Sequence, residues 1–121
     1  MSLLAAVQEK SEEKVRTLLS QKADVNSADP KIGNAMHWIA EKGHHQYPPA
    51  GIPKLLIDSG LDVNAKNPAG STALEISLQK GWQNIAMLLL DNGAERSVVN
   101  DAVKSRITCP DCKKVVRDYK L

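Results

Sequence analysis

The segment Ala23-Asp24-Val25-Asn26 recurs as Leu61-Asp62-Val63-Asn64, and more faintly as Ala94-Glu95-Arg96-Ser97. Asn26 and Asn64 are 38 residues apart, and Asn64 and Ser97 are 33 apart. Self-similarity at a period of roughly 20–50 residues marks a chain built by stacking one small unit, each copy burying its apolar side only against its neighbours. No other feature of the sequence restricts the fold as severely. The surplus in the first interval has a natural home in His45-Gln46-Tyr47-Pro48-Pro49-Ala50-Gly51, where proline and glycine cannot continue a helix.

Each recurrence follows an apolar helical run and a stop. Leu55-Leu56-Ile57 leads to Asp58-Ser59-Gly60, and Leu88-Leu89-Leu90 leads to Asp91-Asn92-Gly93. A glycine just past a helix end takes the left-handed conformation that lets the last carbonyls be satisfied. The first copy, Leu18-Leu19-Ser20-Gln21-Lys22, lacks that glycine, so a strained or looser turn is expected there. Upstream of each run a second, shorter helix is expected. Thr72-Ala73-Leu74-Glu75 has the pattern of a capping box, with helix running on to the break at Gly81. The matching stretch in the preceding unit is Asn34-Ala35-Met36-His37-Trp38-Ile39-Ala40, ending at Gly43-His44.

These residues resemble the ankyrin-repeat family. Asn67 to Ala94 follows the family pattern closely through Gly70-Ser71-Thr72-Ala73-Leu74, Gly81 and Leu88 to Ala94. Residues 29–64 follow it with a five-residue insertion, and residues 2–26 look like an opening, half-degenerate copy. The resemblance implies an all-α solenoid of stacked helix-turn-helix pairs. Repeats are expected at about 1–28, 29–66 and 67–97, inside a domain spanning 1–107. Ala35 and Ala73 stand where the family has proline, Glu75 where it has histidine, and Ile32 where it has a glycine at the finger tip. His37 keeps the family residue and is read as structural, bonded near the turn that precedes its helix.

Stacking places Leu3, Ala6, Val15, Leu18, Leu19, Met36, Trp38, Ile39, Ala40, Ile52, Leu55, Leu56, Leu74, Ile76, Ile85, Leu88 and Leu89 in the core or between repeats. The last repeat needs a lid. Residues 97–107 have helical spacing, with Val99, Ala102, Val103 and Ile107 able to form one apolar stripe, so a C-terminal cap helix is expected there. Residues 108–121 are read as a basic, Cys-containing tail, inert and partly disordered.

In the family, partners lie on the concave side, made of turn tips and the exposed faces of the first helix of each pair. Carried over by position, the resemblance implicates Lys31 and Gly33 in the first tip, and Pro68, Ala69 and Ser71 in the second. On the helices it implicates Gln8, Glu9, Glu41, Lys42, Gln79 and Lys80. Mixed charges there suggest a polar rim and a protein partner. His45 and Tyr47 in the insertion, and Trp82, are added because such side chains offer contact area with a polar end. Trp82 has the alternative of packing sideways on its helix pair.

Cys109-Pro110-Asp111-Cys112 offers two thiols at a spacing that grips one face of a tetrahedral zinc ion. No further cysteine exists to close such a site within one chain, so no cofactor is expected. Zinc shared between the Cys109/Cys112 pairs of two chains is the alternative to a simple interaction module, and a redox disulfide is a third reading. No phosphate loop, no Ser-His-Asp order and no His-Glu-x-x-His appears, so no catalytic residue is nominated.

Composition narrows the partners. Hydrophobic residues make up 42% but aromatics only 3%, with no Phe, which suits closely packed helices with small aliphatic cores. Residues 1–100 carry 10 basic against 11 acidic side chains, and residues 101–121 carry 6 against 3. A near-neutral body with a basic end lacks the broad positive face of a dedicated nucleic-acid binder. No small-molecule substrate and no membrane are expected as partners, and the chain is read as a monomer. Two cysteines too close together to staple the fold suit a cytoplasmic, reducing location, with secretion as a bacterial effector as the alternative.

Overall fold

The computed structural model describes residues 3–9, 11–42 and 51–121. Among them the chain forms α1 (Leu3–Gln8), α2 (Glu12–Ser20), α3 (Ala35–Lys42), α4 (Gly51–Asp58), α5 (Ala73–Lys80), α6 (Gln83–Asp91), α7 (Asp101–Arg106) and α8 (Pro110–Asp118), with a short 3-10 turn at Arg96–Val98. Extended backbone pairing among the described residues is limited to isolated bridges, Asp29 with Gly33 and Lys66 with Thr72. The helices pack in consecutive pairs, α1 with α2, α3 with α4 and α5 with α6. An inner row runs α1, α3, α5, α7, each helix on the next, while α2 packs on α4 and α6 on α8 in an outer row.

Local chemistry sets where each helix begins. Ser11 caps α2 by accepting from the Lys14 N–H at 3.2 Å, and Thr72 caps α5 by accepting from the Glu75 N–H at 3.4 Å. The latter is the Thr half of the expected capping box. Asn100 caps α7 in the same way, accepting from the Val103 N–H at 3.0 Å. Side-chain oxygens at these positions satisfy amides that have no partner inside the helix.

The ends of the outer helices share one motif. The amide five residues past the acceptor bonds back in Ala23 to Leu18, Leu61 to Leu56, Ala94 to Leu89 and Leu121 to Val116. The preceding residue is left-handed every time: Lys22 at φ 64°, Gly60 at 98°, Gly93 at 91° and Lys120 at 55°. The turn after α2, expected to be looser for want of glycine, therefore keeps the same hydrogen bonds. Its strain falls on Lys22, whose side chain makes the left-handed conformation cost on the order of 1–2 kcal/mol.

The occurrence of this motif at the end of the chain corrects the reading of the C-terminus. Residues 108–121 do not form an inert tail. They carry α8, in which Cys112 and Val115 are buried, and its closing turn. Helices α7 and α8 take the places of a fourth pair, α7 lying on α5 and α8 on α6. What is missing from this copy is the finger: eight residues separate Asn64 from the Thr72 cap, but only three separate Ser97 from the Asn100 cap. The expected cap helix at 97–107 is thus only the inner half of the lid, starting at Asp101. Val99, Val103 and Ile107 of its predicted stripe are buried, and Ala102 is exposed.

The core is continuous through all four pairs. Of the residues expected in it, Leu18, Leu19, Trp38 and Leu55 are only partly buried but packed against it, and Leu88 is also partly exposed. The rest are buried, and Val7, Leu61, Leu78, Ala86 and Leu90 join them. A ladder of asparagines links successive units along one edge. Asn26 accepts from the Asp62 N–H at 2.6 Å and donates to the Gly60 carbonyl at 3.2 Å. Asn64 repeats this with the Glu95 N–H and the Gly93 carbonyl. Asp24 and Asp62 hold these turns by accepting from the Asn26 and Asn64 amides, each at 2.9 Å.

Candidate protein-interaction face

Two fingers project beside the inner helices, and they are built differently. In the second, Asn67 accepts from the Ala69 and Ser71 amides at 3.0 and 2.9 Å, and Gly70 is the left-handed residue, at φ 84°. In the first, Asp29 accepts from the Lys31 and Ile32 amides at 2.7 and 3.2 Å. Here Ile32 occupies the glycine position, and the left-handed residue moves one place along to Gly33, at φ 98°. Asp29 and Gly33 then exchange both backbone hydrogen bonds, at 2.8 and 2.9 Å. A β-branched residue at a tip is accommodated by shifting the turn by one.

Gly33, expected as a contact residue, is instead buried, and its role is to let the backbone pass. A Cβ at Gly33 would lie 2.5 Å from His37 Nδ1 and 2.9 Å from the Asn67 Cβ. His37 is 1% exposed and ties the start of α3 to the far end of its repeat. Its Nδ1 accepts from the Asn34 N–H at 2.9 Å, while Asn34 Oδ1 accepts from the His37 N–H at 3.0 Å. The pair is a capping box with imidazole in place of carboxylate. Its Nε2 lies 2.8 Å from the Ala65 carbonyl, at the end of the same repeat and just before the second finger. A ring that accepts at one nitrogen must carry its single proton on the other, so Nε2–H donates to Ala65. Burial outweighs the attraction of the Ala65 carbonyl and lowers the pKa, which keeps the ring neutral.

Beside this anchor lies a hollow of about 320 Å³ lined by Lys31, Ile32, His37, Trp38, Glu41 and Asn67. It sits between the two fingers and the exposed side of α3. Trp38 is partly buried and supplies an aromatic wall, with Lys31 and Glu41 exposed at the rim. Glu41 on α3 and Lys80 on α5 form an ion pair at 3.3 Å across adjacent inner helices. Both were expected on this face, and the fold brings them together. Pro68, Ala69 and Gln8 are exposed, and Ser71 and Gln79 partly so. Glu9 follows α1 and pairs with Lys14 at 2.8 Å, further along the stack from the hollow. Lys42 is the last residue of α3.

Trp82 precedes α6 and packs against the core, as in its packing alternative. His45 and Tyr47 lie outside the described residues. Ile32, Trp38 and Asn67, which frame the hollow, were not nominated as contacts. Trp38 had been assigned to the core from its place in a helical stripe, and Ile32 was visible only as a departure from a glycine position.

Cys109 and Cys112 lie at the start of α8, well away from this face in the sequence of repeats. Among the described residues no group of three or more His, Cys, Asp or Glu is placed to hold a metal ion. Among them, too, no helix is long and apolar enough to cross a membrane.

A family model for ankyrin repeats, in three copies, matches residues 3–100. A putative ankyrin-repeat protein of fowlpox virus is 31% identical over 121 residues, covering 78% of this chain and 27% of that protein. Human protein phosphatase 1 regulatory subunit 27 is 29% identical over 107 residues, covering 87% of this chain and 66% of the subunit. A probable E3 ubiquitin-protein ligase of rice is 38% identical over 58 residues, 47% of this chain and 11% of the ligase. The chain therefore spans less than two thirds of the length of each of these relatives. With the matched model covering most of its length and the paired helices, fingers and asparagine ladder in place, the chain belongs to the ankyrin-repeat family.

Proposed function

We propose that the chain is a non-catalytic, monomeric interaction module that binds a protein through the concave side, with the hollow around Trp38 as the centre of the contact. The observation that carries this reading is the composition of that hollow. A partly buried tryptophan and an isoleucine form an apolar floor, and Lys31, Glu41 and Asn67 form a polar rim. Aromatic anchors surrounded by groups that exclude water are where binding energy concentrates in protein interfaces. Ile32 strengthens the case, because it keeps an apolar side chain partly exposed at a finger tip.

The relatives support protein binding as the activity but differ in what they regulate, so the fold does not name the partner. Protein phosphatase 1 is the first to test, because the relative that matches 87% of this chain bears its name as a regulatory subunit. The test uses immobilised chain and compares Trp38→Ala and Lys31→Glu with Arg16→Glu on the outer helix α2, for binding of protein phosphatase 1 and of proteins captured from lysate. Circular dichroism confirms that each variant is folded. At least one partner should bind about tenfold more weakly, roughly 1.4 kcal/mol, to the hollow variants while binding Arg16→Glu normally. Partners that tolerate both hollow variants, or that are lost equally with Arg16→Glu, would overturn the assignment of this face.

A further inference from the structure

The two cysteines are the one chemically reactive pair that protein binding leaves unused. The structure places them where their roles differ. Cys109 is the N-cap of α8, with extended backbone at φ −70° and ψ 125°, and Cys112 is three residues on, inside the first turn. Cys109 is partly exposed and Cys112 is completely buried. Ser11, Asn34, Thr72 and Asn100 each cap a helix by accepting an amide hydrogen bond, whereas Trp82 before α6 makes none. Cys109 makes no such bond, so the position gives up the usual capping oxygen for a sulfur. That sulfur rests against the turn between α5 and α6, where a Cβ on Gly81 would lie 3.9 Å from it.

We propose that Cys109 and Cys112 form a reversible disulfide by exchange with low-molecular-weight disulfides of the glutathione type. Cys109 is the sulfur that an outside molecule can reach. Its thiolate attacks one sulfur of oxidised glutathione, forming a protein–glutathione disulfide and releasing one glutathione thiolate. The Cys112 sulfur then attacks Cys109, the mixed bond breaks, and the second glutathione leaves. Two protein thiols are oxidised and one glutathione disulfide is reduced to two thiols, which take up the two protons the cysteines lose. Burial foremost, then the contact with Cys109 and the charges of Cys109 and Asp111, push the Cys112 thiol up to about 12. Cys112 is therefore the less readily ionised thiol of the pair, and it must give up its proton before its sulfur can attack, which makes resolution the slower of the two steps.

The geometry requires only a small movement. Residues three apart on a helix have Cβ atoms about 5–6 Å apart, and a disulfide needs about 3.5–4.5 Å. Because backbone fixes each Cβ, closing that gap takes a small backbone rotation at Cys109, which lies outside the helical turn with extended backbone and can rotate without unwinding α8.

The test equilibrates the folded full chain with mixtures of oxidised and reduced glutathione, then alkylates it and determines intact mass and peptide masses. Wild type should lose both alkylatable thiols and carry no glutathione. Cys112→Ala should retain one glutathione on Cys109, and Cys109→Ser should keep Cys112 free and reduced. A stable glutathione on Cys109 of the wild type, or modification of Cys112 in Cys109→Ser at the wild-type rate, would overturn the proposal. So would one zinc ion per chain or per pair of chains that shields both thiols from alkylation, since that would make the pair a metal site. Should Cys112→Ala fail to fold by circular dichroism, the wild-type and Cys109→Ser arms decide the matter alone.

Discussion

Replacing His37 by alanine tests how the first finger, the inner helix and the backbone leading into the second finger are held together. The ring satisfies the buried Asn34 amide at 2.9 Å and the partly buried Ala65 carbonyl at 2.8 Å. Alanine leaves both without it, and each orphaned group costs about 1–3 kcal/mol, for a combined loss of about 2–6 kcal/mol before packing is counted. Small domains have only about 5–15 kcal/mol in total. At a urea slope near 2 kcal/mol per molar, the midpoint should fall by about 1 M or more. Glu75→Ala is the control, because Glu75 occupies the equivalent helix position but is partly exposed, and the cap bond there uses only its backbone amide. It should change stability by no more than about 0.5 kcal/mol.

The same residue predicts a pH dependence. Its folded pKa is lowered, chiefly by burial, so the unfolded chain takes up a proton more readily than the folded one. Stability from this group is complete above the unfolded value of about 6.5 and declines as pH falls through and below it. His37→Ala should remove that part of the slope. Urea titrations followed by circular dichroism at several pH values measure both effects. A His37→Ala loss below about 1 kcal/mol, or an unchanged slope between pH values above and below the histidine range, would refute the role given to the ring.

Gly33→Ala should cost clearly more than Gly70→Ala, although both glycines are left-handed. The first also drives a methyl group to 2.5 Å from His37 Nδ1, while the second meets nothing within 4 Å and should cost about 1 kcal/mol; equal losses in denaturation would contradict the tight finger. Leu89→Ala, at a fully buried position of α6, should cost about 2–5 kcal/mol, and a loss under about 1 kcal/mol would mean that the site is not interior. Deleting residues 108–121 removes the buried Cys112 and Val115 and uncovers α6, so it should cost at least about 2 kcal/mol. An unchanged urea midpoint would restore the inert tail.

Much of the fold was legible because its signals are local. The recurring Asp-Val-Asn turns, the glycines at 60 and 93 and the Thr72 cap each report a backbone conformation that a few neighbouring residues decide. The fourth pair was missed for physical reasons of the same kind. Its finger is absent, which breaks the period, and its closing turn uses Lys120 where a glycine would have announced it. Helix α8 is mostly charged, and one of its two buried residues is a cysteine, a type read first for chemistry and only then for packing. Pro110 at the first helical position and Val115-Val116 were the available clues.

The interaction face was half legible. Glu41, Lys80 and Lys31 were assigned to one surface by position in the repeat, and they do lie near one another, Glu41 paired with Lys80 and lining the hollow with Lys31. The hollow was not visible, because it depends on how far Trp38 emerges from the core and on a finger whose turn shifts by one residue at Ile32. Periodicity assigns a face to a side chain but not a depth, and a partly buried tryptophan looks the same in sequence as a fully buried one. Gly33 shows the converse: a residue at a finger tip can be wholly internal when a neighbour such as His37 fills the space above it.

Hydrogen exchange by mass spectrometry, with and without a captured protein partner, tests the concave assignment most directly. Slower exchange in 29–42 and 67–80, with the outer helices α2, α6 and α8 unchanged, is the predicted pattern. Protection confined to those outer helices would contradict it and move the binding surface to the opposite side of the stack.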